Sequence, residues 1–387
     1  MRRKSRVVMF SAVLILLLVG LAEGGSFFSG KFLQSRWKMY RVPSLPPHPV
    51  ATSFDEYLTI RDSVLGWPLS NEIEFPGRDV RGTGEGGGYP SFDDDDCVSI
   101  YGDSFALGTE VAAGDAWGTK LMERTGCPVG IYGVNGYGSD QAYLRYHSRK
   151  DDAAQLVILT HLSENIIRNL TRNFDLYTGI ANYALKPRFV LSNSGALELQ
   201  PIPEISEPQY WQYVAAVKPQ LILPAENFHV GGPTGEVLLS FPFSYALLRN
   251  LFSFRMLSAF RREPDYVQFY RRDDPTRGLE ITTEILRSFD AEVRSKGQQP
   301  LVVILPTQHD LDYYERRGQW PYANLLENLD AAAVRYIEFG DYVLKNTSRD
   351  ERRTMFKPLG HYNEHGNLLL AEFVYQSASE LLPLPSR

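Results

Sequence analysis

The sequence predicts an α/β protein in which helices cover both faces of a parallel β-sheet. From Cys97 onward, short apolar segments of strand length alternate with segments of helical periodicity. Such alternation needs crossover connections, which are right-handed and place helices on both faces of the sheet. The chain has 387 residues, of which 43% are hydrophobic and 22% charged, so it can bury a large core in one or two domains.

The predicted elements follow one another regularly except for one long interruption. Strands are predicted at 97–102, 129–134, 155–160, 301–305 and 336–339. Helices are predicted at about 115–124, 139–148, 279–295, 321–335 and 363–382. Residues 170–277 are rich in aromatic residues and prolines, so we expect a large insertion there. Within it, 188–200 has the pattern of a hairpin and 241–262 has helical spacing.

The N-terminal end has the pattern of a targeting segment. Four basic residues precede an apolar run of 16 residues at 7–22. This length is typical of a signal peptide and slightly short for a membrane-spanning helix. Gly20 and Ala22 form an acceptable cleavage site; without cleavage, the run is a signal anchor whose basic end stays in the cytoplasm. Under either interpretation the protein is extracytoplasmic, either membrane-anchored or secreted.

The domain boundaries follow from these patterns. Residues 1–23 form the targeting segment and 24–96 a stalk with an irregular N-terminal segment, in which the prolines between 43 and 49 favour extended chain. Residues 97–387 then form the domain that contains the sheet and the insertion. The net charge of −6 and the absence of a basic stripe beyond the extreme N-terminus exclude a nucleic-acid-binding protein.

The chain has two cysteines, Cys97 and Cys127, at the starts of consecutive predicted strands. Neighbouring parallel strands place their starting ends side by side, so a disulfide is one interpretation in an oxidising compartment. Two buried free thiols are the other.

Four short polar segments occupy positions where reacting groups collect in an α/β sheet. They lie at 102–104, 135–138, 163–165 and 361–366. The first three follow the first three strands, whose carboxyl ends meet at one edge of the sheet. Ser104 lies at a strand-to-helix corner, near the positive end of the helix dipole.

Acyl transfer by serine needs a nucleophile, a base and donors for the developing oxyanion. Ser104 supplies the hydroxyl and His361 can accept its proton. The backbone N–H groups of Ser104 and Gly136 and the side-chain amide of Asn165 can form the oxyanion hole. Gly136 suits this role because the absence of a Cβ lets a substrate approach its N–H.

These residues resemble the conserved blocks of the SGNH or GDSL hydrolases. The matching segments, in order, are GDSFALG (102–108), VNGYGSDQ (134–141), HLSEN (161–165) and GHYNEHGN (360–367). The resemblance covers about 97–165 and 300–382. It implies a flavodoxin-like three-layer α/β/α fold and esterase, lipase or acyltransferase chemistry. It implies no metal and no organic cofactor.

One position departs from the family pattern. The family places an aspartate two or three residues before the histidine, where this chain has Leu359 and Pro358. A Ser-His dyad is one interpretation, and a non-catalytic glycan-binding protein with a degenerate site is another. In the third, an acid comes from elsewhere; the candidates are Asp310, Asp341 and Glu364, and we expect Asp310 because it follows the fourth strand.

Residues 361–365 also match H-x-x-E-H, an inverted zinc-peptidase motif with Glu364 as the base. This motif needs a third protein ligand, and only Glu372 and Glu380 are acids downstream of it. The sequence therefore favours a serine ester hydrolase or O-acyltransferase, with no protein-bound metal. Its expected substrate is an acylated small molecule or O-acylated polysaccharide.

Overall fold

The computed structural model describes residues 2–37, 53–67, 96–173, 185–214, 223–228, 234 and 237–382. The chain divides into two units. One comprises Met1–Pro46 and Glu226–Asp265, and the other comprises Pro47–Ala225 and Tyr266–Arg387. The central part of the expected insertion therefore belongs to the same unit as the N-terminal helix. The prolines between 43 and 49 and most of the expected irregular segment lie outside the described residues.

The larger unit contains all the described strands. They are β1 (Val98–Gly102), β2 (Val129–Gly133), β3 (Leu156–Leu162), β4 (Arg188–Leu191), β5 (Leu197–Gln200), β6 (Gln299–Leu305) and β7 (Tyr336–Glu338). Five of them form a parallel sheet in the order β2-β1-β3-β6-β7, and β4 pairs with β5 in a separate antiparallel hairpin. Every residue of β1, β2 and β3 is buried, as expected where helices cover both faces of a parallel sheet.

The described helices lie between and around these strands. They are α1 (Arg2–Trp37), α2 (Phe54–Ile60), α3 (Ser104–Leu107), α4 (Trp117–Thr125), α5 (Ser139–Ser148), α6 (Asn165–Arg168), α7 (Glu207–Val214), α8 (Phe243–Asn250), α9 (Phe254–Arg261), α10 (Gly278–Ser295), α11 (Gln308–Arg317), α12 (Ala323–Ala331), α13 (Phe339–Asn346), α14 (Arg349–Thr354) and α15 (Glu364–Ser377).

The helices form two layers around the sheet. The chain moves from β1 to β2 in one direction and then reverses to reach β3, β6 and β7. Right-handed crossovers therefore place α4 on one face and α5, α10 and α12 on the other. Helix α15 packs against α4, which completes the first layer. The predicted three-layer α/β/α fold is thus confirmed.

Some elements differ from the sequence prediction. The sequence did not predict α11, α13 and α14; in α11 the buried side chains are only Asp310, Leu311 and Tyr313, so its apolar pattern is weak. The helical spacing over 241–262 belongs to two helices, which separate where Ser253 caps α9 by accepting a hydrogen bond from the N–H of Met256.

Cys97 and Cys127 form a disulfide next to the amino ends of β1 and β2, with their Cα atoms 6.1 Å apart. The β1–β2 register pairs Val98 with Val129, so the residues just before each strand lie side by side. The disulfide therefore lies at the edge of the sheet opposite the carboxyl ends of the strands.

The smaller unit is formed by α1 together with α8 and α9. Its buried cluster comprises Val237, Leu239, Ala246 and Met256, and Leu33 of α1 packs against it. The stretch from Arg6 to Arg36 is 31 residues of helix, long and apolar enough to cross a membrane.

Candidate active site

The turn after β1 presents Ser104 at the carboxyl edge of the sheet. Asp103 ends the strand segment and accepts a 2.8 Å hydrogen bond from the N–H of Phe105, which fixes the start of α3. A Cβ on Gly133 of β2 would come within 2.6 Å of the backbone nitrogen of Leu107, so the glycine lets α3 pass closely over β2. Ser104 is consequently held, nearly buried, at the first position of α3.

Ser104, His361 and Glu110 form a continuous chain of hydrogen bonds. The Ser104 Oγ lies 2.8 Å from Nε2 of His361, and Nδ1 of the same ring lies 2.5 Å from Oε2 of Glu110. A carboxylate can only accept, so Nδ1 carries the proton and donates it to Glu110, which leaves Nε2 free to accept from the serine hydroxyl. This arrangement is that of a serine–histidine–acid triad.

The acid is therefore Glu110, and the expectation that Asp310 supplies it is wrong. Asp310 is buried and accepts hydrogen bonds from Ser163, Tyr266 and Thr307, with which it forms the capping box of α11. The other two candidates are also engaged elsewhere. Asp341 accepts from the indole of Trp320 at 2.9 Å, and Glu364 pairs with Lys357 at 2.7 Å. The interpretation as a dyad loses its basis as well.

Glu110 reaches His361 because the chain turns back directly after α3. Gly108 ends α3 in the left-handed conformation, and Glu110 itself has φ of 73°. A non-glycine residue in this region stores strain, and such residues concentrate at functional sites. The only sequence signal was an acid in the loop after the Gly-Asp-Ser turn, a position to which neither periodicity nor the family resemblance drew attention.

The backbone around His361 is also fixed. The His361 ring packs on Phe105 with centroids 5.1 Å apart, and the hydroxyl of the next residue, Tyr362, donates a 2.6 Å bond to the carbonyl of Pro306. Asn363 caps α15 by accepting from the N–H of Gly366 at 2.9 Å. The imidazole is thus positioned by contacts on both sides of the chain rather than by Glu110 alone.

The three groups expected in the oxyanion hole lie on the loops that follow β1, β2 and β3. Gly136 has φ of 80°, a conformation that favours glycine. Asn165 is fully buried at the first position of α6, and both polar atoms of its side chain lack a hydrogen-bond partner within the described part of the chain. A buried amide without a partner costs folding free energy, so it points to a ligand group that it would bind.

Arg168 connects the first three of the polar segments and was not singled out in the sequence. Its Nη1 donates to Oδ2 of Asp103 at 3.0 Å and to the carbonyl of Tyr137 at 3.1 Å, while Nη2 donates to Glu164 at 2.8 Å. Burial raises the pKa of Asp103, and the Arg168 guanidinium opposes that shift. Arg168 therefore fixes the loops after β1, β2 and β3 relative to one another.

The loop after β2 is additionally held by a segment that the sequence analysis assigned to the stalk. The indole of Trp67 donates to the carbonyl of Asn135 at 2.9 Å, and the hydroxyl of Tyr137 donates to the carbonyl of Trp67 at 2.5 Å. The side chain of Gln141 donates to the carbonyl of Leu65 at 2.7 Å. Residues 53–67 thus support the loop that carries Gly136.

His161 lies at the end of β3 but belongs to the protein interior. Its Nδ1 is 2.7 Å from the Ser139 hydroxyl and its Nε2 is 2.9 Å from the Tyr270 hydroxyl. Complete burial lowers the pKa of His161 to about 3, so its ring is neutral at physiological pH. It has neither the exposure nor the partners of a catalytic base.

The zinc-peptidase motif at 361–365 does not have its required geometry. That motif needs both histidines on one helix, whereas α15 begins at Glu364 and leaves His361 outside it. Both ring nitrogens of His361 are also engaged, with Ser104 and Glu110. Within the described residues, no cluster of three or more His, Cys, Asp or Glu side chains is arranged to hold a metal ion.

Comparisons with known proteins give fold-level likenesses only. No family model and no curated protein matches the chain. Among solved structures, it is similar to a putative lipolytic protein of the G-D-S-L family from Desulfitobacterium hafniense DCB-2, with 12% identity, a TM-score of 0.34 and coverage of 74% of this chain and 98% of that one. TesA matches with 12% identity, a TM-score of 0.37 and coverage of 74% and 99%. An acetyl xylan esterase, AlAXEase, matches with 13% identity, a TM-score of 0.32 and coverage of 72% and 98%.

Proposed function

We propose that this protein is an extracytoplasmic serine ester hydrolase or O-acyltransferase of the SGNH type. The observation that carries the proposal is the hydrogen-bond chain from Glu110 through His361 to Ser104. It supplies an activated nucleophile, and the buried, partnerless amide of Asn165 supplies a donor that nothing within the described residues uses. Together these are the parts that acyl transfer by serine requires.

The first half of the reaction forms an acyl-enzyme. Ser104 Oγ attacks the ester carbonyl while His361 Nε2 accepts the hydroxyl proton, and the carboxylate of Glu110 stabilises the resulting imidazolium. The N–H groups of Ser104 and Gly136 and the Asn165 amide donate to the oxyanion. Collapse of the tetrahedral intermediate breaks the ester bond, and His361 returns the proton to the departing alkoxide.

The second half decides between hydrolysis and transfer. His361 removes a proton from the attacking hydroxyl, which belongs to water in a hydrolase and to an acceptor alcohol in a transferase. The attack releases the acyl group and restores the Ser104 hydroxyl. We propose O-acylated polysaccharide as the substrate class, on the basis of the extracytoplasmic location that the apolar N-terminal segment favours.

Labelling with a fluorophosphonate tests this proposal, because the probe reacts with an activated serine without needing the true substrate. We expect the full chain to be labelled at Ser104, with labelling lost in Ser104→Ala and in His361→Ala. Intact, folded protein that remains unlabelled would contradict an enzymatic role. It would instead support a glycan-binding protein on the same fold.

A further inference from the structure

Helix α1 continues well beyond the length that a membrane requires. The hydrocarbon layer is about 30 Å thick, and a helix rises about 1.5 Å per residue, so about 20 residues cross it. Counted from Arg6, the last basic residue before the apolar run, this places the outer boundary of the layer near residue 26. Helix α1 extends to Trp37.

At this level, α1 contacts the start of α8. The carboxylate of Glu23 accepts a 2.5 Å hydrogen bond from the N–H of Phe243 and further bonds from the N–H and hydroxyl of Ser244. Glu23 thereby satisfies free N–H groups at the start of α8, where a negative charge is favourable. The rings of Phe27 and Phe243 pack edge to face, with centroids 5.0 Å apart.

Farther along α1, small and apolar residues continue the contact. A Cβ on Gly30 would lie 2.4 Å from Leu239, so the glycine permits close packing there. Leu33 packs on the cluster that contains Ala246 of α8 and Met256 of α9. Helices α8 and α9 are therefore attached to the segment of α1 that leaves the hydrocarbon layer.

The outer surface of these two helices is aromatic and basic. Residues 241–262 contain four arginines and no acidic residue. The large hydrophobic side chains exposed in the segment are Phe241 (71%), Tyr245 (59%), Leu248 (57%), Leu251 (40%), Phe252 (75%) and Phe260 (71%). Exposed aromatic rings with arginines and without acids are the composition of helices that lie in the boundary of an anionic membrane.

We propose that α8 and α9 lie in the headgroup boundary of the membrane that α1 crosses, with their exposed aromatic side chains inserted among the lipids. Three observations converge on a lipid surface: contact with α1 at the calculated level of the boundary, exposed large rings, and a uniformly basic charge. This inference is independent of the proposed catalytic function, since it concerns only the smaller unit.

The test measures the depth of nitroxide labels in the full chain, reconstituted into vesicles of phosphatidylcholine and phosphatidylglycerol. Both native cysteines are in a disulfide, so a thiol-specific label attaches only to an introduced cysteine. The variants are Phe252→Cys, in the turn between the helices, and Phe260→Cys, on α9; intact mass confirms that α1 is retained. Lys345→Cys, on the exposed surface of α13 in the larger unit, is the matched aqueous control.

Collisions with oxygen, which concentrates in lipid, are compared with collisions with a water-soluble nickel complex. We expect the oxygen-to-nickel ratio at Phe252→Cys and Phe260→Cys to be several-fold higher than at Lys345→Cys, and to fall to the control value in detergent-free, lipid-free polymer. A nickel accessibility equal to that of the control would overturn the proposal. Shielding from both reagents would overturn it too, because it would show that protein covers the surface.

Discussion

The carboxylate of Glu110 and the imidazole of His361 share a 2.5 Å hydrogen bond although 251 positions of the chain separate them. Glu110 lies in the loop that follows the nucleophile, so one short segment supplies both the serine and the acid. The histidine comes from the far end of the fold and lies between them. This arrangement replaces the aspartate that the family resemblance expected before His361.

The Asn165 side chain is predicted to act in the transition state and not in folding. Its amide has no partner within the described residues, so Asn165→Ala removes no hydrogen bond from the folded protein. We expect kcat for ester cleavage to fall about 10²–10³-fold, with little change in KM. The melting temperature should be unchanged or slightly raised. A loss of stability with unaltered kcat would show that Asn165 is structural.

Arg168 is predicted to stabilise the loops by neutralising buried Asp103. The variant Arg168→Met leaves that carboxylate buried without its cation, which costs about 3–5 kcal/mol of the free energy of unfolding. The double variant Arg168→Met/Asp103→Asn removes the uncompensated charge and should recover much of the loss, as measured by urea unfolding. Additive effects of the two substitutions would contradict a direct charge pair.

The disulfide is predicted to stabilise the fold without affecting catalysis. It closes a loop with a sequence separation of 30, for which chain entropy gives roughly 3–4 kcal/mol. Cys97→Ser/Cys127→Ser should therefore unfold at lower urea concentration. The rate of ester cleavage in the folded variant should match that of the parent chain, because the disulfide lies at the sheet edge opposite the catalytic residues. A large fall in that rate would refute this separation.

His161 is predicted to make stability depend on pH. Burial lowers its pKa to about 3, against about 6.5 in the unfolded chain, so between these values the unfolded state binds a proton that the folded state does not. Stability from this group is present above pH 6.5 and is lost as the pH falls. Between pH 7 and pH 5 this amounts to about 2 kcal/mol.

Urea unfolding of His161→Gln at the two pH values measures this contribution. The glutamine retains the capacity to hydrogen-bond with Ser139 and Tyr270 but does not titrate. We expect its loss of unfolding free energy from pH 7 to pH 5 to be about 2 kcal/mol smaller than that of the parent. Equal losses in the two proteins would rule out His161 as the titrating group.

The parallel sheet was predictable because β1, β2 and β3 are continuous apolar runs that end at glycine or polar residues. Helix α11 was not, since its residues are mostly polar; the available signal was the capping box of Thr307 and Asp310. Asp310 was instead interpreted as the acid of the site. A carboxylate after a strand can serve either role, and only the three-dimensional partners distinguish them.

The positions of Ser104, Gly136, Asn165 and His361 at strand ends could be inferred from spacing alone. Glu110 could not, because its contact with His361 depends on the left-handed backbone after α3, which no apolar pattern encodes. The support from Trp67 was missed for a related reason: an irregular segment carries no periodicity that reveals what it packs against.

The most direct test of the account is the rate of fluorophosphonate labelling at Ser104 in Glu110→Gln, compared with Glu364→Gln. Glutamine keeps the shape of the side chain but cannot stabilise an imidazolium, so we expect Glu110→Gln to react about 10²–10⁴-fold more slowly. Glu364→Gln removes an exposed acid paired only with Lys357 and should react at the parent rate. If Glu110→Gln reacts as fast as the parent chain, Glu110 is not the acid and the proposed triad is wrong.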